Sequence, residues 1–386
     1  MDNFYFHIPT EVYFGKGQIG QLGPAVKRLG TRALLVYGGG SIKKTGLYQT
    51  VQAIFGQNVI DCVELGGVEP NPRIETVRRG VSLCRQHKTD VIVAVGGGSV
   101  IDCAKVISTA VGYDGDAWDL ALNPGLITGA LPVITVLTMA ATGSEMDHFA
   151  VISDMKTNNK AGIASQMFYP RVSILDPEYT FTVPKEQTAA GVADIMSHLL
   201  ENYFSFVSGA AVQRRLAEAL LKICIQYGPI AYREPENYEA RANIMWASSL
   251  AIDGITSRGV NVSSSAHPME HQLSGYYDIT HGVGLAILTP HWMRYVLSEK
   301  TLRNFVEYGV NVWGIDVGRP PMEIANEAIQ KTGDFWRSLG LPSTLHEVGI
   351  NEEHFGVMAE KAAPLLKGAF CPLAADDVRA IFRAAL

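Results

Sequence analysis

Up to about residue 183 the chain alternates short β-rich apolar runs with longer amphipathic stretches, the pattern of a parallel sheet covered by helices. Strands are predicted at residues 33–37 (ALLVY), 59–65, 91–95 (VIVAV), 133–137 (VITVL) and 171–175 (RVSIL). VIVAV is apolar at every position, as expected of a central strand buried on both faces. After Pro184 the alternation stops. The remainder reads as helical segments at 185–204, 210–227, 238–254, 282–298 and 322–339, punctuated by Pro and Gly. No internal repeat or low-complexity linker separates the two patterns, so a tight boundary is expected near residues 182–184.

A chain of 386 residues exceeds the size at which one hydrophobic core stops growing, which supports two domains. The net charge of −6 and the lack of a long basic run argue against a nucleic-acid partner and leave a small molecule as the expected one. The first ten residues contain Asp2 and lack a basic segment followed by an apolar stretch, so they do not read as a secretory signal. No apolar run approaches membrane-spanning length. The five cysteines, Cys62, Cys84, Cys103, Cys224 and Cys371, are scattered without a close pair, which fits reduced thiols in a cytoplasmic protein.

Gly96-Gly97-Gly98-Ser99 follows VIVAV and leads into a helix start, so backbone N–H groups and the positive helix end could meet a pyrophosphate. A second cluster, Gly38-Gly39-Gly40-Ser41, follows the first apolar run and suits the adenosine end of a dinucleotide. The acidic residue that usually binds a ribose 2′-hydroxyl is missing there, while Lys43 and Lys44 lie just beyond. That combination leans towards NADP(H) over NAD(H), although the lysines read equally well as a solvated helix face. The segment 138–145 (TMAATGSE) follows a third buried strand. It either lines the cofactor or is an ordinary strand-to-helix turn capped by Ser144.

Asp194 and His198 lie four apart in an apolar helical stretch and therefore share a face. A buried carboxylate is costly unless it is paired or coordinated, and no Lys or Arg lies within one turn of Asp194. His267, His271 and His281 fall within fifteen residues of one another. One carboxylate and several imidazoles suit a first-row divalent metal, with iron and zinc both acceptable.

These residues resemble the iron-containing (group III) alcohol dehydrogenases over nearly the whole chain. Phe14-Gly15-Lys16-Gly17, GGGSVIDCAK, TMAATGSE, the Asp194/His198 helix, HPMEH and the following THG occur in that family's order. Gly38 to Gly40 with Glu69-Pro70-Asn71-Pro72 look most like its NADP-preferring butanol dehydrogenase and broad aldehyde reductase branch. The resemblance implies an N-terminal α/β Rossmann-like dinucleotide-binding domain over 1–183. It implies an all-α metal-binding and catalytic domain over 184–386, in a dehydroquinate-synthase-like architecture. It also implies Fe2+ (Zn2+ being possible) on Asp194, His198, His267 and His281, with His271 facing the nicotinamide; the catalytic proton is expected to pass through His271 or a water chain. Gly97, Gly98, Ser99 and Asp102 would surround the pyrophosphate, Thr138, Thr142 and Ser144 the rest of NAD(P)(H), and Lys160 the ribose. Assembly as a homodimer or larger homo-oligomer follows by analogy. One stretch, residues 257–262 (SRGVNV), departs from the small-residue sequence common in relatives.

The expected chemistry is hydride exchange between the nicotinamide and a small alcohol or aldehyde, whose oxygen the metal polarises. Phe149 and Arg258 are candidate substrate contacts. Arg258 could anchor a sulfonate or carboxylate tail, or be a plain surface residue. The rival readings are a zinc polyol dehydrogenase or dehydroquinate-synthase-like lyase, a metal-dependent hydrolase, and a nucleotide- or metal-binding module without turnover. The glycine loops count against a hydrolase, and metal ligands and cofactor loops in one chain count against a passive module.

Overall fold

The computed structural model describes residues 1–260 and 264–386. Two compact units form: one comprises His7–Val183 and Pro235–Ser249, the other Met1–Phe6, Pro184–Glu234 and Leu250–Leu386.

In the first unit eight strands appear: β1 (Glu11–Phe14), β2 (Arg32–Tyr37), β3 (Asp61–Leu65), β4 (Val91–Gly96), β5 (Val133–Leu137), β6 (Phe149–Asp154), β7 (Asn159–Ala164) and β8 (Val172–Leu175). Six of them build one sheet in the order β1-β8-β5-β4-β2-β3, parallel at every pairing. Alternate residues feed opposite faces, because side chains along a strand have period two. Leu34, Val36, Ile92 and Ala94 join one buried cluster with Ile101, Ala104 and Ile107 of the helix Gly98–Ala110. Leu35, Tyr37, Val91, Val93 and Val95 join another with Val51 and Phe55 of the helix Leu47–Gln57. Both faces of β4 are thus covered, as its unbroken apolar sequence requires.

Three strand details differ from the expected pattern. Val59 takes a positive φ of 51°, a turn conformation, so β3 starts only at Asp61. β1 is short and only partly buried, so its apolar signal is weak. The hairpin β6–β7 was also not expected: its register pairs Ser153 with Lys160 and Val151 with Gly162, and these small and charged residues mask the alternation.

The segment Pro235–Ser249 joins the sheet unit for two physical reasons. Met245 is fully buried in the cluster that contains Ile101 and Ala104. The Ser249 hydroxyl donates to Glu145 Oε1. Glu145 is fixed further through its backbone carbonyl, which accepts from Ser173 Oγ at 2.6 Å.

The second unit is helical, with Lys185–Tyr203, Ala211–Arg233, Ala266–Tyr277, His281–Val296, Leu302–Trp313 and Pro321–Ser338 as main elements. The helix Ala211–Arg233 continues through Pro229, past the expected end at residue 227. No helix among the described residues is long and apolar enough to cross a membrane.

Burial pushes the Glu145 carboxyl up to about 7 from an ordinary value of 4.5. A raised acid keeps its proton longer in the folded state, so its contribution is present below about 4.5 and is lost as pH rises through about 7. E145Q should therefore flatten the fall in stability between pH 5 and pH 7.5, measured by urea titration at each pH. An unchanged pH slope in the variant would refute the assignment.

Candidate metal centre and cofactor loops

The helix Lys185–Tyr203 is buried along most of its length, and Asp194 within it is 2% exposed. Around Asp194 Oδ1, His198 Nδ1 lies at 3.7 Å, His267 Nε2 at 3.8 Å and His281 Nε2 at 3.8 Å. The His198 and His267 rings stack with centroids 4.5 Å apart. These separations are too long for hydrogen bonds. They approach the ligand-to-ligand edge of about 3.4 Å that tetrahedral coordination at about 2.0–2.1 Å produces.

The decisive observation is that Asp194 Oδ1 and His267 Nε2 are both fully enclosed with no hydrogen-bond partner among the described residues. Buried polar atoms are nearly always satisfied, so two orphans aimed at one point mark a place for a cation. Burial alone would raise the Asp194 carboxyl, yet the surrounding imidazoles hold it down at about 2. Burial would likewise lower His267, but the charges of Glu201 and Asp194 bring it up to about 10. A negative interior site that draws positive charge onto its imidazoles fits a divalent metal.

Local sequence explains how each of these side chains arrives. Asp194 and His198 are one helical turn apart, and Glu201 continues the stripe at i+7. Glu201 Oε1 accepts the N–H groups of Ser265 (2.8 Å), Ala266 (2.6 Å) and His267 (3.0 Å), capping the helix Ala266–Tyr277 from outside. Its Oε2 pairs with His267 Nδ1 at 2.7 Å, which aims Nε2 at Asp194. Glu270 does the same for His281 through Nδ1, while Ser274 donates to its other oxygen. Gly282 lets the helix His281–Val296 approach: a Cβ there would lie 2.0 Å from the Ala190 carbonyl, one turn before Asp194.

His271 lies beside this group, its ring 5.5 Å from that of His281 and 6.3 Å from that of His267. Sequence reasoning missed Glu201 and Glu270. The signal for Glu201 was present, since a carboxylate seven residues after Asp194 on a buried helix needs a partner. Glu270 was masked by the three histidines around it.

The glycine loops belong to the sheet unit. The chain leaves β2 for β3 on one side and returns through β4 to β5 on the other, so the strand order reverses between β2 and β4. Ligands of open parallel sheets bind outside the carboxyl ends of strands at such a reversal. Gly38, Gly39, Gly40 and Ser41 follow β2, and Gly97, Gly98 and Ser99 follow β4, so the two loops flank that point. Gly40 needs its freedom at φ 103°. A Cβ on Gly98 would sit 2.3 Å from Thr142 Oγ1, so this glycine also lets the loop after β5 close in.

In that loop the Thr138 N–H bonds the Gly96 carbonyl at 3.0 Å, and Thr142 Oγ1 accepts from the Ser144 N–H. Ser144 Oγ donates to Asp102 Oδ1 at 2.6 Å, and Asp102 Oδ2 accepts the Val151 N–H at 2.9 Å. The pair therefore braces the loop against β6. Lys105, fully buried, bonds Asp147 Oδ1 (2.7 Å) and the Phe149 carbonyl (2.8 Å), which fixes the start of the hairpin; the Phe149 side chain remains exposed. Lys160 on β7 donates to Asn71 of the EPNP turn at 3.0 Å. Lys43 lies over the rings of Tyr37 and Tyr48, at 4.9 and 4.7 Å. Within residues 257–262, Asn261 and Val262 fall outside the described residues.

A doubly wound sheet with glycine loops at its reversal, joined in one chain to helices bearing a histidine–aspartate centre, defines a metal- and nucleotide-binding class of α/β protein. The chain belongs to the iron-containing alcohol dehydrogenase family: the model for iron-containing alcohol dehydrogenase matches residues 9–177, and that for the C-terminal part of the Fe-containing family matches 188–386. It is 55% identical to NADH-dependent butanol dehydrogenase A of Clostridium acetobutylicum, over 99% of each chain. It is 38% identical to an NADPH-dependent aldehyde reductase of Escherichia coli, over 94% of this chain and 93% of that one. The crystal structure of NADH-dependent butanol dehydrogenase A from Thermotoga maritima superposes with a TM-score of 0.94 at 37% identity, covering 100% of this chain and 99% of that one.

E201Q keeps an oxygen for the helix cap but removes the charge behind His267, so metal affinity should fall about 10–100-fold with little change in melting temperature. G282A should lose metal as well, because the helix bearing His281 must back away. Metal titration of stripped protein checks both, and wild-type affinity in E201Q would remove Glu201 from the centre.

Proposed function

We infer that the protein is a metal-dependent alcohol dehydrogenase or aldehyde reductase that exchanges hydride between NAD(P)(H) and a small alcohol or aldehyde. The observation that supports this reading is the approach of His198 Nδ1, His267 Nε2 and His281 Nε2 to within 3.8 Å of Asp194 Oδ1, an enclosed atom that, like His267 Nε2, has no hydrogen-bond partner among the described residues. Family membership supports iron as the ion these four residues would hold. Bound there, the ion supplies Lewis acidity towards a substrate oxygen. Glu201 and Glu270 keep the imidazoles of His267 and His281 turned towards Asp194.

The loops Gly38–Ser41 and Gly97–Ser99 would hold the dinucleotide, which supplies or accepts the hydride. Their position at the strand-order reversal supports this, as does the start of the helix Gly98–Ala110 directly after the Gly97 N-cap, where the positive end of the helix favours an anion. Thr138, Thr142, Ser144 and Asp102 shape the third loop, and Lys160 is held by Asn71 near the turn of the hairpin.

When a carbonyl is reduced, the hydride adds to carbon, the π pair moves to oxygen, and that oxygen takes one proton. His271 is the proposed source, since a ligand atom of its ring lies within 4.8 Å of one on His281 and one on Glu270. Relatives named for NADH and for NADPH leave both cofactors to be assayed. The same reading takes the protein to be cytoplasmic and homo-oligomeric, supported by five free cysteines and by the exposed rings of Phe4, Tyr5 and Phe6.

Chelator-stripped protein should neither oxidise butanol nor reduce butanal, and Fe2+ should restore both with NADH or NADPH. H271A should keep its metal while kcat falls by about 10²-fold or more. Full turnover after complete metal removal would sink the reading.

A further inference from the structure

Arg258 lies in the turn that follows the helix Tyr238–Ile252, and its backbone is fixed at both ends. Its N–H donates to the Gly254 carbonyl at 3.0 Å, and its carbonyl accepts from Gln213 Nε2 at 2.6 Å. The side chain folds back over Gly254, where a Cβ would lie 2.8 Å from Arg258 Nε and 3.1 Å from Nη2. Gly254 also has φ 102°, so both backbone conformation and space call for glycine there. The guanidinium is therefore seated, not trailing in solvent.

Seated in this way, its Nε lacks a partner among the described residues. Arg258 Nε is fully enclosed without a hydrogen bond, and no ion pair of Arg258 occurs among the described residues. An enclosed cationic donor left unsatisfied is costly and calls for an anion. The turn is also fastened to the helix that carries the metal ligands. Asn202 Nδ2 donates to the Ala251 carbonyl at 3.2 Å and to Thr256 Oγ1 at 3.0 Å. Asn202 follows His198 by four residues, one helical turn of about 5.4 Å along the same face.

We propose that Arg258 receives the oxyanion end, carboxylate or sulfonate, of a short aldehyde or alcohol whose other end reacts at the histidine–aspartate centre. This rests on the dehydrogenase reading above. The parallel N–H groups of a guanidinium match two oxygens of either anion, and a neutral alkyl tail would leave Nε unsatisfied.

The test uses metal-loaded enzyme with butanal and with succinic semialdehyde, which have equal chain length but differ in tail charge. The ratio of kcat/KM for the anionic over the neutral aldehyde should fall about tenfold or more in R258A and recover in part in R258K. Calorimetry with ethanesulfonate and with butanoate gives a second readout and separates the two anions. At least one should bind the wild type and lose about tenfold in R258A, with and without metal. Circular dichroism melts establish that the variants fold. An unchanged ratio in folded R258A, or anion binding that needs the metal but not Arg258, overturns the proposal while leaving the dehydrogenase intact. If wild-type protein reduces neither aldehyde, the dehydrogenase reading fails, and calorimetry alone still decides whether Arg258 holds an anion.

Discussion

A carboxylate held ionised inside a protein needs a positive charge close by, and the helical unit is organised around that requirement at Asp194. Its Oδ1 is enclosed, unsatisfied among the described residues and within 3.8 Å of three imidazole nitrogens. The buried helix, the external cap supplied by Glu201 and the close approach permitted by Gly282 all serve one arrangement: several donors fixed in space before any ion arrives.

The sheet unit solves a different problem with the same economy of means. Parallel strands leave their carboxyl ends on one edge, and the reversal of strand order between β2 and β4 opens a place where two loops can diverge. Small residues fill both loops because backbone, not side chain, must form the surface there. Around them the buried pairs Ser144–Asp102 and Lys105–Asp147 hold the neighbouring loop and hairpin in shape. Polar residues that recur in the motif GGGSVIDCAK thus include structural braces as well as candidate ligand contacts.

What could be read from the sequence follows from physical range. Strands β2, β4, β5 and β8 announced themselves because each is a short, mostly apolar, β-rich run, and Asp194 with His198 because a four-residue spacing on an apolar helix is a local fact. The hairpin β6–β7 stayed hidden because Lys160 and Gly162 interrupt its alternation. Glu201 and Glu270 stayed hidden because their partners, His267 and His281, are distant along the chain or obscured by neighbouring histidines.

The amino-acid order by itself determined the alternation that makes a covered parallel sheet, the glycine turns after two of its strands, the helical remainder and the residue types able to hold a metal. Only tertiary structure decided that the segment 235–249 packs with the sheet, that Ser144 and Asp102 satisfy each other, and that Arg258 rests on Gly254 with an enclosed donor left without a hydrogen bond among the described residues. The division has a simple cause. Periodicity and spacing act over one or two turns of chain, whereas desolvation and coordination depend on which atoms meet after the chain has closed.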